Sequence, residues 1–137
     1  MSREEGSATV ETIIWLPLLL LLFGAVIQYG LYFNAKTAVQ VAAFEAARQA
    51  AVSDKPVEVA ENVAYGFANS TLPGWREGER VAISISAPSD PEPGDSVNVQ
   101  VTYRVPGFFT GILPALGTPG QEPTIIGSAR MLIEERP

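Results

Sequence analysis

The sequence predicts an α+β protein: a long amino-terminal helix that first crosses a membrane and then continues as a stalk, a second short helix, and a small three-stranded antiparallel sheet packed on the stalk. Three observations lead there. From Thr12 to Asn34 the chain carries no charge, and about 20 predominantly apolar residues suffice for a helix to cross the hydrocarbon core of a bilayer. Beyond Asn34, Ala35, Ala38, Val39, Ala42, Ala46 and Ala50 recur at steps of three and four, as on one face of a helix. Beyond Gly78 the period changes to two, which is the pattern of half-buried strands.

The first helix is expected from about Thr9 to Val52. Leu18 to Leu22 are consecutive leucines, so the segment is apolar on every side, and the rest of the chain is too short to enclose it as the core helix of a soluble fold. Pro17 removes one backbone donor and crowds the carbonyl four residues back, which predicts a kink or a loosened turn between Ile13 and Pro17. A cleaved secretory signal fits poorly. Its leading residues should be basic, whereas Met1 to Gly6 holds one Arg and two Glu; the apolar run is too long, and no small-x-small site follows Phe33. Arg3 with the terminal amine on one side is nearly balanced by Lys36 and Arg48 on the other, so charge counts alone do not set the topology. Past the membrane, the alanine face suits close approach of another helix or of the chain's own sheet. Both uses fit if they employ different faces, with Val41 and Phe44 turned toward the sheet.

Ser53-Asp54-Lys55-Pro56 then punctuates the chain, with Asp54 a candidate cap and Pro56 in the first turn of a second helix reaching about Ala68. Val57, Ala60, Val63, Ala64 and Phe67 form its apolar stripe. Val81, Ile83 and Ile85 alternate with Ala82, Ser84 and Ser86; Val97, Val99, Val101, Tyr103 and Val105 alternate with Asn98, Gln100, Thr102 and Arg104; a third strand falls within Thr124 to Glu134. The acidic connection Pro88 to Asp95 reads as a proline-stiffened hairpin, since it lacks the alternating ligand positions of a calcium loop. Between Pro106 and Pro123, Phe108, Phe109, Ile112, Leu113 and Leu116 stand in a Gly/Pro-rich connection where polar residues are the rule. They are a candidate partner contact, or else they cover the sheet or stalk.

Composition removes most catalytic chemistries. The 137 residues include no Cys and no His, which leaves no disulfide, no zinc finger, no Ser-His-Asp triad and no His-ligated metal, and no cofactor is expected. A net charge of -6 argues against nucleic acid, whose affinity comes from Lys and Arg displacing counterions from phosphates. An enzyme built on Glu58, Glu61 or the acidic hairpin would lack any pocket signature, so neither catalytic residues nor a small-molecule substrate are expected.

Glu11 is the anomaly, a carboxylate set directly against the apolar run. Such a group is costly near hydrocarbon and requires a partner. Cleavage after Gly6 would make Glu11 the fifth residue of the new chain, and the freed amine of Ser7 could pair with Glu11 of a neighbouring subunit. The ordinary reading of the same residues is a helix start capped by Ser7 or Thr9, with Glu11 in the first turn. Gly6-Ser7-Ala8-Thr9-Val10-Glu11, the Leu16-Pro17 step with its leucines, and Ala42-Ala43-Phe44-Glu45-Ala46-Ala47-Arg48 together resemble the TadE/TadG-like family of pilus-assembly pseudopilins. The resemblance covers about the first 50 residues, and the acidic leader MSREEG departs from the Arg-rich leaders usual there.

The resemblance implies a pilin-like, single-pass protein of the bacterial inner membrane with its carboxy-terminal domain outside the cytoplasm. It implies cleavage after Gly6 by a prepilin peptidase and a role as minor pilin of a Tad-type (Flp) pilus, in contact with lipid and with other pilin subunits. Gly6 and Ser7 would flank the scissile bond, and Glu11 would be the carboxylate used in processing or in aligning subunits. The expected organisation is leader 1–6, transmembrane helix 7–35, alanine-rich stalk 36–52 and exported domain 53–137. The alternative is an unprocessed single-pass envelope protein whose outer domain binds a ligand or another membrane protein.

Overall fold

The computed structural model describes residues 3–72, 80–107 and 122–134. Helix α1 spans Arg3–Ala51 and runs unbroken through Pro17, a rod of about 73 Å at the usual rise per residue. It begins within the expected leader. Ser7 and Thr9 are therefore already helical and do not cap the helix.

Helix α2, Pro56–Thr71, folds back along α1. Lys55 rather than Asp54 occupies its N-cap and makes no side-chain cap bond. Pro56 at the first position has a pre-set φ and no N–H to satisfy, so a side-chain cap has less to do. The buried stripe of α2 is also rotated from the expected one. Pro56, Ala60, Ala64 and Ala68 are buried, Val63 and Phe67 only partly so, and Val57 is exposed. Steps of four through small residues bring the two helices close together.

The strands β1 (Val81–Ser86), β2 (Ser96–Arg104) and β3 (Thr124–Leu132) form an antiparallel sheet in the order β1-β2-β3. The expected alternation places Val97, Val99, Val101, Tyr103 and Val105 in the core, each without exposure. Two bonds fix the direction of the sheet along α1. Gln28 Nε2 donates to the Pro106 carbonyl at 3.4 Å near the membrane end, and the Glu134 N–H donates to the Ala51 carbonyl at 3.4 Å at the far end.

The face of α1 that meets this sheet corrects the expectation. Ala35, Ala38, Val39, Ala42, Ala43, Ala46, Ala47 and Ala50 are buried against the sheet and α2, whereas Val41 and Phe44 are 43% and 48% exposed. The physical reason is volume. The sheet supplies branched and aromatic side chains, which interdigitate best with small residues opposite. At the closest approach, a Cβ on Gly127 would lie 2.7 Å from the Val39 carbonyl carbon, carbonyl oxygen and Cγ1, so β3 touches the helix backbone where its own side chain is missing.

The acidic hairpin is braced by its own groups. The Asp95 N–H donates to the Glu92 carbonyl, and the Asp95 carboxylate accepts from the Glu92 N–H, both across Pro93 and Gly94. With Gly94 at φ 96°, this is a type II turn, with proline at the second position and glycine at the third. The Gly94 N–H then donates to the Ile133 carbonyl, and the Ile133 N–H to the Asp95 carbonyl, tying the turn to the end of β3.

At the opposite end of the sheet, Arg80 grips Glu122 through two bonds of 3.0 and 3.2 Å and donates to the Arg104 carbonyl. Tyr103 lies close by, and burial pushes its phenol above the ordinary tyrosine range, opposed by Arg80 and aided by Glu122. A raised acid is favoured neutral in the fold. Above about pH 10 the unfolded chain ionises first, so stability falls as pH rises from there toward the raised folded value. Chemical denaturation at stepped alkaline pH is expected to show that decline, and Tyr103→Phe to flatten it.

Candidate functional site

α1 carries every described residue that the sequence marks for function, and its surroundings change along its length. Residues 6–23 are exposed at every position. The helix is long and apolar enough to cross a membrane, which fits a single-pass membrane protein. Gly24 is the first buried position among the described residues, and from Leu31 and Tyr32 onward one face of α1 belongs to the core.

Gly6, Ser7 and Glu11 lie exposed on the first turns of α1. A Cβ at Gly6 would meet nothing within 4 Å. Glycine inside a helix costs about 1 kcal/mol relative to alanine, so neither packing nor backbone conformation accounts for it. Glu11 shares a shallow groove with Ala8, Thr12, Trp15, Leu16 and Leu19. Thr12 Oγ1 donates to the Ala8 carbonyl at 2.9 Å, which satisfies its hydroxyl within the helix and leaves the groove to the carboxylate. Among the described side chains, no ion pair reaches Glu11.

A second feature lies opposite the alanine face. At about 100° per residue, Val26, Phe33, Thr37, Val41, Phe44 and Arg48 project from α1 on the side away from the sheet, and all are exposed. Thr37 buries its hydroxyl need by donating to the Phe33 carbonyl. Beside Phe44, hydrogen bonds from Arg48 and then Gln49 hold the Glu45 carboxyl below its usual range. The ridge is therefore apolar along its crest, with a neutralised charge cluster at its far end.

Phe108, Phe109, Ile112, Leu113 and Leu116 lie outside the described residues. Glu58 forms an exposed ion pair with Lys55, and Glu61 is exposed on α2. Three positions escaped the sequence reading. Gly127 had a legible signal, a glycine inside an alternating strand. Gln28 and Gln40 had weaker ones, since their amides reach the Pro106 and Ser128 carbonyls more than seventy positions away.

Residues 6–48 match the family model described as TadE-like protein. No curated protein and no solved structure matches the chain.

Proposed function

We propose that this chain, whose residues 6–48 match the TadE-like family model, is a non-enzymatic minor pilin or pseudopilin of a Tad-type pilus, held in the inner membrane until it is assembled. The observation that carries this reading is the division of α1 into two faces. The alanine face is consumed by the chain's own sheet and α2, while the ridge from Val26 to Phe44 stays exposed and leads into residues 6–23, which are exposed at every position. Such a surface can exchange lipid for the helices of other subunits when the protein leaves the bilayer. The carboxy-terminal domain then faces out of the cytoplasm and decorates the assembly.

In this reading a prepilin peptidase cuts between Gly6 and Ser7, and Glu11 aligns the subunit by pairing with the freed amine of a neighbour. The helix continues through the scissile bond, so it must unwind locally for cleavage. Gly6 is where that unwinding is least costly. Phe108, Phe109, Ile112, Leu113 and Leu116 are proposed as a further subunit contact on composition alone.

The unbroken helix through Gly6 is also what an uncut single-pass envelope protein would have. Intact mass and amino-terminal sequence of the membrane-extracted protein, with the peptidase gene present or deleted, separate the two. The expected result is a peptidase-dependent chain starting at Ser7; Met1 or Ser2 retained in both strains would favour the unprocessed reading. Phe44→Ser is expected to lower incorporation into the pilus by about tenfold without changing the melting temperature, because exposed positions rarely alter stability by more than about 0.5 kcal/mol. Immunoblots of sheared pili against whole membranes, with thermal melts of the purified protein, measure both.

A further inference from the structure

The described part of the sheet domain reaches farther down α1 than the charge-free run allows if the domain simply sat above the membrane. Thr12 to Ile27 is the part of that run that lies before the bond from Gln28 Nε2 to the Pro106 carbonyl. That part is about 24 Å long at about 1.5 Å per residue, against a hydrocarbon core about 30 Å thick. Filling the core from Thr12 takes the helix to about Leu31, roughly 4 Å beyond the level of Gln28 and Pro106. A domain held clear of lipid would instead pull Glu11 about one turn into the hydrocarbon, or thin the bilayer by about 6 Å.

We propose that the membrane end of the sheet domain, at Val105–Gly107, is seated in the outer interfacial layer of the same bilayer that α1 crosses, with lipid as its partner. The flanking residues suit that depth. Tyr29 and Phe33 are exposed on α1 at and just above the level of Pro106, and aromatic side chains, above all those with a polar tip, collect at membrane interfaces. Arg104 is exposed two residues back along β2, about 7 Å higher, at the height of the headgroup phosphates. Arg80 and Glu122 neutralise each other beside it, which keeps the carboxylate from repelling an anionic surface. Lys36, the first charge of α1 beyond the run, stands about 12 Å above Gln28 and so in water or headgroups. The domain is thus docked on the membrane before any assembly, and leaving the bilayer means detaching this end as well as the helix.

The inference holds whether or not the leader is cut, so its test is independent of the proposed processing. The chain has no cysteine, so single cysteines at Gly107, Thr124 and Ser89 can each carry the same environment-sensitive fluorophore in the full chain. Ser89 lies exposed in the hairpin at the far end of the sheet and serves as the aqueous reference. In vesicles of phosphatidylcholine and phosphatidylglycerol, the Gly107 label is expected to be quenched about threefold more than the Ser89 label by a nitroxide near the top of the acyl chain, and to resist aqueous iodide. Thr124, exposed at the foot of β3, should fall between them and guards against a Gly107 variant that fails to fold. Equal iodide quenching at all three sites, with no nitroxide effect, would overturn the proposal.

Discussion

Replacing Gly127 with alanine is expected to lower the stability of the sheet domain by about 2–4 kcal/mol. The added Cβ would lie 2.7 Å from three atoms of Val39, two of them backbone. A crowded side chain can rotate away, but a helix backbone can yield only by moving α1 off β3 as a unit. The buried run from Ala35 to Ala50 would lose contact with the sheet in that shift. Trimming Val39 to alanine in the same chain removes only the Cγ1 contact, so the double variant is expected to recover little. Thermal melts of the detergent-solubilised full chain, followed by near-ultraviolet circular dichroism, measure both. A fall below about 0.5 kcal/mol would mean that β3 and α1 are not held at this distance.

The same close packing explains why the architecture was legible in the sequence and the use of each helix face was not. Strand alternation from Val97 to Val105 survives unchanged because a strand shows its two faces in strict turn, and a one-residue slip would expose the whole core set. The helices offer no such test. On a hydropathy reading Val41 and Phe44 outrank alanine and belong inside, yet they point away from the sheet, and Val57 of α2 is exposed as well. Hydropathy ranks residues by their aversion to water, whereas the contact here is decided by how much volume the opposing sheet has already filled. In a helix that also faces lipid or other subunits, bulky apolar residues have somewhere else to go, so the outer ridge is free to carry them. The caps were misplaced for a related reason. Asp54 and Ser7 have capping side chains, but the helix ends follow from Pro56 and from continued helix through Gly6. At the candidate site, Gly6, Ser7 and Glu11 stood out through charge and spacing, while Gln28 became visible only when the fold brought Pro106 beside it.

Glu11→Gln is expected to reduce incorporation into the pilus by tenfold or more while leaving membrane insertion, leader cleavage and the melting of the sheet domain unchanged. Those three controls follow from position. Glu11 is exposed and lies far along α1 from the core, whose α1 positions run from Leu31 and Tyr32, partly buried, through Ala35 and beyond. Assembly is different, because packing helices around this carboxylate removes the water that now solvates it. Two opposite charges about 4 Å apart attract by about 4 kcal/mol at the effective dielectric typical near a protein surface, and an unpaired carboxylate in the same place costs several kcal/mol to desolvate. A neutral amide avoids the second cost but loses the first, and with it the preference for the one axial register that brings the Ser7 amine of a neighbour alongside. Glu11→Lys should fail more completely, since it sets two positive groups together. Glu11→Asp keeps the charge but withdraws it by one methylene, so it should assemble partially, and better at low salt, where the weakened pair is screened least. Shear-fraction immunoblots at two ionic strengths read this order. Equal assembly of the Gln and Asp variants would show that the position selects for size or polarity rather than charge, and loss of insertion in the Gln variant would show that its main role is topological.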